Sequence, residues 1–328
     1  MISRRAVLGS SGALAAGGGV ALAATGSGQL ITAVDVHPRD YPTVEAVRWM
    51  GEEIERETGG RIRFRQYPSG QLGTETDTVN LARFHVIDIA RVYLGAVNNM
   101  FPATQPLALP YIFRDDAHMR AVCDGEIGRE ILASFEQRGL IGLAFYDSGF
   151  RSMYNARHPI HTPADMHGLK VRVPRADIFI QTLEALGANP TPIPFGEVFT
   201  GLQTHLLDGA ENNWATFQST RQYEVARYWS QTDHCAAPEA LLMSKATFDA
   251  LAPGDRDLLR AKAQESVRIM RALWDEKQAT ARQIVLDAGV HYNVADIDAF
   301  RRAAEPVKRR YASDTGAARM IQRIEAHT

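Results

Sequence analysis

The sequence lacks the features that mark several large classes of protein. Its 328 residues include two cysteines, Cys123 and Cys235, which excludes a disulfide framework and a cysteine-rich zinc site. The 36 basic and 38 acidic side chains give a net charge of -2, so the basic surface of a nucleic-acid-binding protein is missing, and no nucleic acid is expected as a partner. Beyond the N-terminal segment no apolar run approaches 20 residues, so the mature chain is not expected to span a membrane.

The composition that is present is ordinary for a globular protein. Hydrophobic residues make up 45% and charged residues 23% of the chain. At this length a single hydrophobic core stops growing, which favours two lobes over one. The two cysteines are expected to be small buried residues, with an oxidised pair as the alternative.

The first 23 residues have the pattern of an export signal. Arg4 and Arg5 precede a run without charges, and residues 21–23 (ALA) fit the small-x-small pattern of a cleavage site. Residues 3–8 (SRRAVL) resemble the twin-arginine signal, whose apolar region is rich in Gly and Ala, as it is here. We therefore expect residues 1–23 to be removed and the mature chain to lie in the periplasm.

Strand patterns and helix patterns alternate along the mature chain. Hydrophobic periodicity predicts strands at 30–34, 61–67, 86–90, 140–145 and 169–173, and helices from Thr43, near Thr74, from Ile178 and from Pro194. This order predicts parallel sheets flanked by helices. Residues 255–288 contain no proline or glycine and predict one long helix, which would cross both lobes.

Polar side chains follow several of the predicted strands. They are Asp35, His37, Arg91, Asp147, Arg151, Arg172 and, after a turn at 207–209, Asn212, Asn213 and Trp214. In an open α/β sheet, ligands bind outside the carboxyl ends of the strands. Arginine can hold a carboxylate through two parallel hydrogen bonds, and a tryptophan can stack on an apolar sugar face. The cluster therefore predicts a binding site for a polar anion.

Each of these residues also has a simpler structural interpretation. A single arginine at a strand end is usually a surface ion pair, Asn212 can serve a turn, and Trp214 can belong to the core. Arg172 is the strongest candidate because it interrupts an apolar strand. It either pairs with an acid such as Glu197 or points into a cleft, and we favour the cleft.

The usual motifs of enzymes and metal sites are weak or absent. The best metal candidate is the segment with His158 and His161, followed by Asp165 and His167. Pro159 prevents helical spacing there, and a proline-rich turn explains the segment more simply. We therefore expect no metal and no other cofactor.

Short motifs are spread in order over nearly the whole mature chain. They are QLG at 71–73, LPYIF at 109–113, GLKVRVP at 168–174, GA at 187–188, PTP at 190–192, GEV at 196–198, LQT at 202–204 and DGAEN at 208–212. Together they resemble the periplasmic solute-binding proteins of tripartite ATP-independent periplasmic (TRAP) transporters. The resemblance runs from about residue 30 to the long C-terminal helix.

The resemblance implies an α/β fold of two lobes, joined by crossing strands and by the long helix. Residues 24–148 and 236–277 would form lobe I, and residues 149–235 and 278–328 lobe II. It also implies a receptor that closes on its ligand and delivers it to the small and large membrane subunits of a permease. No enzymatic activity is implied, and a monomer is expected because the lobes must move.

The resemblance also implies roles for particular residues. The principal carboxylate-binding arginine falls on Arg172, the second on Arg151, and the asparagine of the site on Asn212. Lobe I contributes the turn with His37, Glu75 and the strand end near Arg91.

Three stretches point to the branch that binds the hexuronates galacturonate and glucuronate. They are YPTVEA at 41–46, FYDSG at 145–149 and ENNW at 211–214, which add Tyr146, Asp147, Ser148 and Trp214 to the expected contacts. A micromolar complex needs about 8 kcal/mol, and one charge-assisted hydrogen bond supplies about 1.5–3 kcal/mol. Two arginines on one carboxylate therefore need help from hydroxyl contacts. The chain departs from the branch at Phe195 and Phe199, where tyrosines are expected, and at residues 175–176 (RA), where more polar residues are expected.

Three alternatives stay open at this point. The ligand could be another organic acid, either a C4-dicarboxylate or a keto or aldonic acid. The protein could be a periplasmic enzyme acting on sugar acids, with Glu75 or Asp147 as the base. It could also be a receptor for a sensor kinase.

Overall fold

The structure is a computed structural model that describes residues 28–327. The expected signal peptide, residues 1–23, lies outside the described residues. The strands are β1 (Gln29–Val34), β2 (Ile62–Tyr67), β3 (Ile89–Tyr93), β4 (Leu140–Tyr146), β5 (Arg151–Asn155), β6 (Lys170–Val173), β7 (Asn189–Pro192), β8 (Gly209–Asn212), β9 (Tyr228–Cys235), β10 (Glu239–Ser244) and β11 (His291–Val294). The helices are α1 (Pro42–Glu57), α2 (Glu75–Arg83), α3 (Leu94–Val97), α4 (Asp116–Asp124), α5 (Glu126–Ser134), α6 (Asp177–Ala185), α7 (Val198–Gln203), α8 (Trp214–Ser219), α9 (Lys245–Ala250), α10 (Pro253–Asp287), α11 (Ile297–Tyr311) and α12 (Thr315–Ala326).

Two sheets flanked by helices define a first and a second lobe, as expected. The first sheet has the order β2-β1-β3-β10-β4 and the second β11-β9-β5-β8-β6-β7. The prediction of parallel sheets holds for β1, β2 and β3 but is wrong for each sheet as a whole. Strand β10 runs antiparallel between β3 and β4, and β5 runs antiparallel between β8 and β9. Both sheets are mixed because the chain crosses between them through adjacent strands.

The chain crosses between the lobes at two strand pairs and along one helix. Strand β4 of the first sheet leads directly into β5 of the second, and β9 of the second leads into β10 of the first. Helix α10 has 35 residues, about 50 Å at 1.5 Å per residue, and it packs against α1 in the first lobe and α8 in the second. The predicted long helix is confirmed.

Local sequence signals set the ends of the elements near the lobe interface. Thr74 caps α2 in a capping box with Asp77, which satisfies the free backbone N–H groups of the first turn. After α1 the chain turns through Gly59 and Gly60, whose positive φ angles of 60° and 80° suit glycine. These signals were legible in the sequence and place Glu75 at the start of α2.

Strand β3 begins three residues later than predicted. Asp88, which was expected inside the strand, instead accepts hydrogen bonds through its side chain from the backbone N–H of Thr32 and the hydroxyl of Thr247. Val86 is exposed in the preceding turn. Arg91 therefore lies inside β3 rather than beyond its end.

The final helix differs from the expected lobe boundary. Helix α12 packs against α5 and the 3-10 turn at Pro102–Ala108, which places it on the first lobe and not on the second. The backbone carbonyl of Ile324 lies 2.9 Å from the His118 ring, and Arg323 pairs with Glu130. Helix α12 therefore covers α5 and this 3-10 turn on the surface of the first lobe.

Both cysteines belong to a cluster of buried hydrophobic residues. Cys123 and Cys235 are both buried free thiols, as the first of the two expectations had it. None of the helices between residues 28 and 327 combines the length and the apolar character that crossing a bilayer requires.

Candidate functional site

A cavity lies between the lobes, at the edge where β1, β3, β6 and β8 end. Its deep part, the inner chamber, has room for about two water molecules at ~30 Å³. It is lined by Val36, His37, Glu75, Tyr93, Ser148, Arg151, Arg172, Pro174, Phe195, Asn212, Asn213, Thr216 and Glu239. A wider part of about 640 Å³, the outer chamber, leads from it towards solvent. The two chambers share Val36, Glu75, Arg172, Pro174 and Phe195, so they form one continuous site.

Arg172 projects from β6 into the junction of the two chambers. Its Nε and Nη2 donate to the backbone carbonyl of Ile193 at 3.1 and 3.0 Å, which fixes the direction of the guanidinium. Within residues 28–327 it forms no ion pair, and the expected alternative partner Glu197 does not hold it. Burial lowers the pKa of Arg172 to about 10, so the group still carries its positive charge at neutral pH. A buried charge without a counterion favours an anion from outside.

Arg151, at the start of β5, is held by an internal acid. Its Nε and Nη2 donate to the two carboxylate oxygens of Glu211, and Nη1 donates to Oδ1 of Asn212 at 2.8 Å. The guanidinium also lies over the ring of Tyr93, 4.8 Å from the centroid. Burial acts against the charge of Glu211, but Arg151 lowers the pKa of that carboxyl to about 2. The two side chains form a permanent ion pair in the wall of the inner chamber.

Asn212 and Asn213 carry the second lobe's amides to the same wall. Oδ1 of Asn212 accepts from Arg151 and from the backbone N–H of Asn213, which turns its amide group towards the inner chamber. Asn213 caps α8 through Thr216 N–H, and its amide donates to the backbone carbonyl of Ser148 at 2.8 Å. The turn interpretation of this pair is therefore right for Asn213, while Asn212 faces the cavity.

Glu75 and His37 form the opposing wall, in the first lobe. The carboxylate of Glu75 accepts from the backbone N–H of Tyr93 at 2.7 Å, and burial raises its pKa to about 7. His37 stacks on Tyr41 with 3.7 Å between ring centroids, and its buried Nδ1 has no hydrogen-bond partner among the described residues. Burial, helped by the charge of Arg91, lowers the pKa of His37 to about 3, so the ring is neutral. An unsatisfied buried nitrogen at a cavity wall suits a ligand hydroxyl.

Arg91 and Trp214 do not line either chamber, contrary to expectation. Arg91 is completely buried in the middle of β3, where it pairs with Asp35 and Glu239 and so supports the first-lobe wall from behind. Trp214 is partly buried, stacks on Trp229 at 3.7 Å between centroids and packs against the core of the second lobe. The simpler interpretation of Trp214 as a core residue is correct.

Tyr146 and Asp147 also lie away from both chambers. The hydroxyl of Tyr146 is bonded to Ser266 on α10 at 2.6 Å. Asp147 receives hydrogen bonds from Arg120 on α4 and Arg271 on α10, at 2.6 and 3.2 Å. Both residues therefore tie the β4–β5 crossing, where the chain passes between the lobes, to the long helix. Ser148, the next residue, reaches the inner chamber as expected.

Sequence reasoning missed three polar residues that line the inner chamber: Tyr93, Thr216 and Glu239. Glu239 opens the otherwise apolar strand β10, the same kind of interruption that drew attention to Arg172. Burial raises the pKa of Glu239, even though the charge of Arg91 opposes the shift. Tyr93 and Thr216 carried no signal that separated them from core residues. Phe195, noted as a departure, lies edge-on to His37 at 5.4 Å between centroids.

The histidine-rich segment at 158–167 has a structural explanation. The carboxylate of Asp165 accepts from the backbone N–H groups of His161 and Thr162 at 2.8 Å and caps a short 3-10 turn. In the described part of the chain, no cluster of three or more His, Cys, Asp or Glu side chains could hold a metal ion.

The charges of the two walls differ in a way that selects a ligand. The second lobe offers the unpaired guanidinium of Arg172 and the amide of Asn212. The first lobe offers carboxylate oxygens of Glu75 and Glu239 and a neutral imidazole. Such a site binds a molecule with one anionic group at one end and hydrogen-bond donors at the other.

Comparisons with known proteins agree with this arrangement. The family model for "Bacterial extracellular solute-binding protein, family 7" matches residues 33–314. A solute-binding protein of Chromohalobacter salexigens is 38% identical over 274 residues, 83% of this chain and 82% of that protein. A TRAP periplasmic solute-binding protein of Bradyrhizobium, crystallised with α/β-D-galacturonate, is 44% identical with a TM-score of 0.89 over 90% of this chain and 99% of its own. One from Citrobacter koseri, with bound D-glucuronate, is 34% identical with a TM-score of 0.88 over 92% and 100% of the two chains.

Proposed function

This chain belongs to the bacterial extracellular solute-binding proteins of family 7, and we propose that it is the TRAP receptor for a hexuronate, D-galacturonate or D-glucuronate. It would bind the sugar acid in the periplasm, close its lobes and deliver the ligand to the small and large membrane subunits of the permease. The chain would act as a monomer without enzymatic activity. Export through the twin-arginine route is part of the proposal and rests on residues 1–23.

The observation that carries the proposal is the buried and unpaired guanidinium of Arg172. Its Nη1 has no protein acceptor among the described residues, while Nε and Nη2 hold it in place. A carboxylate placed at the junction of the chambers would neutralise the charge and accept a charge-assisted hydrogen bond, worth about 1.5–3 kcal/mol. Binding energy would be gained here because the cost of burying the charge has already been met in folding.

Arg151 has a different role from the one the family resemblance implies. Four of its five N–H groups are engaged by Glu211 and Asn212, so most of the guanidinium serves internal contacts and one Nη1 hydrogen is left for a ligand. We assign Arg151 as the positioning residue that orients Asn212 and adds positive potential to the second-lobe wall. Asn212 would donate its amide hydrogens to the ligand.

The hydroxyl groups of the pyranose ring would meet the first-lobe wall. Glu75 and Glu239 provide acceptors, and the unsatisfied Nδ1 of His37 provides one further polar contact. Phe195 supplies an apolar surface for a ring face. This wall favours a hexuronate over succinate, because succinate has no hydroxyl group to donate to Glu75 and Glu239.

Calorimetric titration of residues 24–328 with a panel of acids tests the proposal. We expect heat with D-galacturonate and D-glucuronate, and none with succinate. Heat with succinate and none with either hexuronate would refute the assignment of the substrate. New products after prolonged incubation with a hexuronate would favour a periplasmic enzyme over a receptor.

The Arg172→Lys and Arg138→Gln variants belong in the same experiment. Lysine keeps the charge but loses the planar fork, so the affinity should fall. Arg138 is exposed and lines neither chamber, so its substitution serves as a control for an arginine lost outside the site. Equal affinities in Arg172→Lys and wild type would remove Arg172 from the site.

A further inference from the structure

The outer chamber is larger than a single hexuronate held at Arg172 requires, and it carries a second arginine. Its volume of about 640 Å³ lies within the range of complete small-molecule sites, about 300–1,000 Å³. Arg175 lines it, three residues after Arg172 and just beyond the end of β6. The chamber therefore has both the space and the charge for more ligand than one sugar ring.

Arg175 is free to contact a ligand. Its side chain is exposed and forms no ion pair with any residue between 28 and 327. Hydrogen bonds from Thr74 lower the pKa of Asp77 on the facing lobe, and the charge of Arg175 acts in the same direction. Arg175 on the second lobe and Asp77 on the first lobe line the same outer chamber.

The outer chamber, like the inner one, combines an arginine of the second lobe with acidic side chains. Asp77 on the first lobe and Glu197 on the second stand around the opening as acceptors for hydroxyls. Met100 and Ile193 add apolar surface against which a sugar face can pack. The lining changes from buried at Arg172 to exposed at Arg175, so a ligand can extend outwards without leaving the protein.

We propose that the outer chamber is a second saccharide subsite, and that the protein binds an acidic disaccharide built of two linked hexuronates. The first carboxylate would contact Arg172 and the second Arg175. Three residues of extended chain separate their Cα atoms by at most about 10 Å, so two flexible side chains can serve carboxylates on adjacent linked rings. This inference rests on the proposed function, since it uses the same first subsite.

The experiment compares D-galacturonate with α-1,4-linked digalacturonate by calorimetry on residues 24–328. Wild-type protein is expected to bind both. Arg175→Gln should weaken digalacturonate about two- to fivefold, the range of an exposed charge pair, and leave D-galacturonate unchanged. Raising the salt concentration should reduce this difference, because an exposed contact is screened. Arg138→Gln, an exposed arginine outside both chambers, should change neither affinity.

The outcomes separate this inference from the one before it. Binding of D-galacturonate without binding of digalacturonate overturns the second subsite and leaves the proposed function standing. Equal binding of digalacturonate by wild type and Arg175→Gln also overturns it, as does an equal loss for both ligands. Failure of wild-type protein to bind either ligand overturns both proposals together.

Discussion

Arg151 and Glu211 form a completely buried, two-point ion pair at the wall of the cavity, while Arg172 beside them has no such partner. In the structure each arginine belongs to a buried strand, Arg151 to β5 and Arg172 to β6. Their environments make them different groups. One is part of the fold, and the other is available to a ligand.

Arg151→Met should strongly destabilise the protein. The substitution leaves Glu211 charged and buried without its partner, a loss of about 3–5 kcal/mol in the free energy of unfolding. Urea unfolding of the ligand-free protein measures it. The double variant Arg151→Met, Glu211→Leu should recover most of the loss, because no charge is then left unpaired. A single variant as stable as wild type would contradict the pairing.

Arg172→Met should weaken ligand binding without destabilising the protein. Removing an unpaired buried charge leaves no partner behind, so the free energy of unfolding of the ligand-free protein should stay the same or rise. The affinity for D-galacturonate should fall about 30-fold or more, which corresponds to the loss of about 2 kcal/mol. Unfolding and calorimetry on the same preparation test both parts. Lower stability with unchanged affinity would show that Arg172 is structural.

Glu75 should make stability depend on pH. Burial raises its pKa to about 7, against about 4.3 for an unfolded chain. The folded protein therefore binds the extra proton between these values, and the contribution of Glu75 to stability, fully present below about pH 4.3, is lost as the pH rises through 7. Glu75→Gln should gain stability relative to wild type between pH 5 and pH 8. If the difference in the free energy of unfolding between Glu75→Gln and wild type stayed constant from pH 5 to pH 8, the assignment would be contradicted.

Asn99 and Asp177 join the lobes at the mouth of the outer chamber. The Asn99 amide donates to the Asp177 carboxylate at 3.2 Å, and the backbone N–H of Asp177 donates back at 3.4 Å. Asn99→Ala removes both bonds, so D-galacturonate should dissociate about fivefold faster, for a net loss of about 1 kcal/mol. Stopped-flow dissociation measures the rate. Asn189→Ala, at an exposed position outside both chambers, is the control. Equal dissociation rates in the two variants would show that the Asn99–Asp177 hydrogen bonds do not hold the lobes together around the ligand.

Much of this architecture could be predicted from the sequence because its signals are local. The capping residue Thr74 and the uninterrupted helix before Ala288 depend on neighbours along the chain. Arg172 could be found because a charge inside an apolar strand is unusual wherever the strand lies.

The remaining features depend on contacts between distant segments. Whether Arg151 faces a ligand or Glu211 depends on two strands, β5 and β8, that meet only in the folded sheet. The antiparallel strand β10 brings Glu239 beside Arg91, although the two residues are 148 positions apart in the sequence. Trp214 could stack on a sugar or on Trp229, and only the fold of the second lobe decides between them.

The most direct test of the account is a crystal structure of residues 24–328 with D-galacturonate. We expect the sugar carboxylate within hydrogen-bond distance of the Arg172 guanidinium, with the Arg151–Glu211 pair intact and ring hydroxyls against Glu75 and Glu239. A carboxylate bound to Arg151 with Glu211 displaced, or a sugar that leaves Arg172 without an anionic partner, would contradict the central claim.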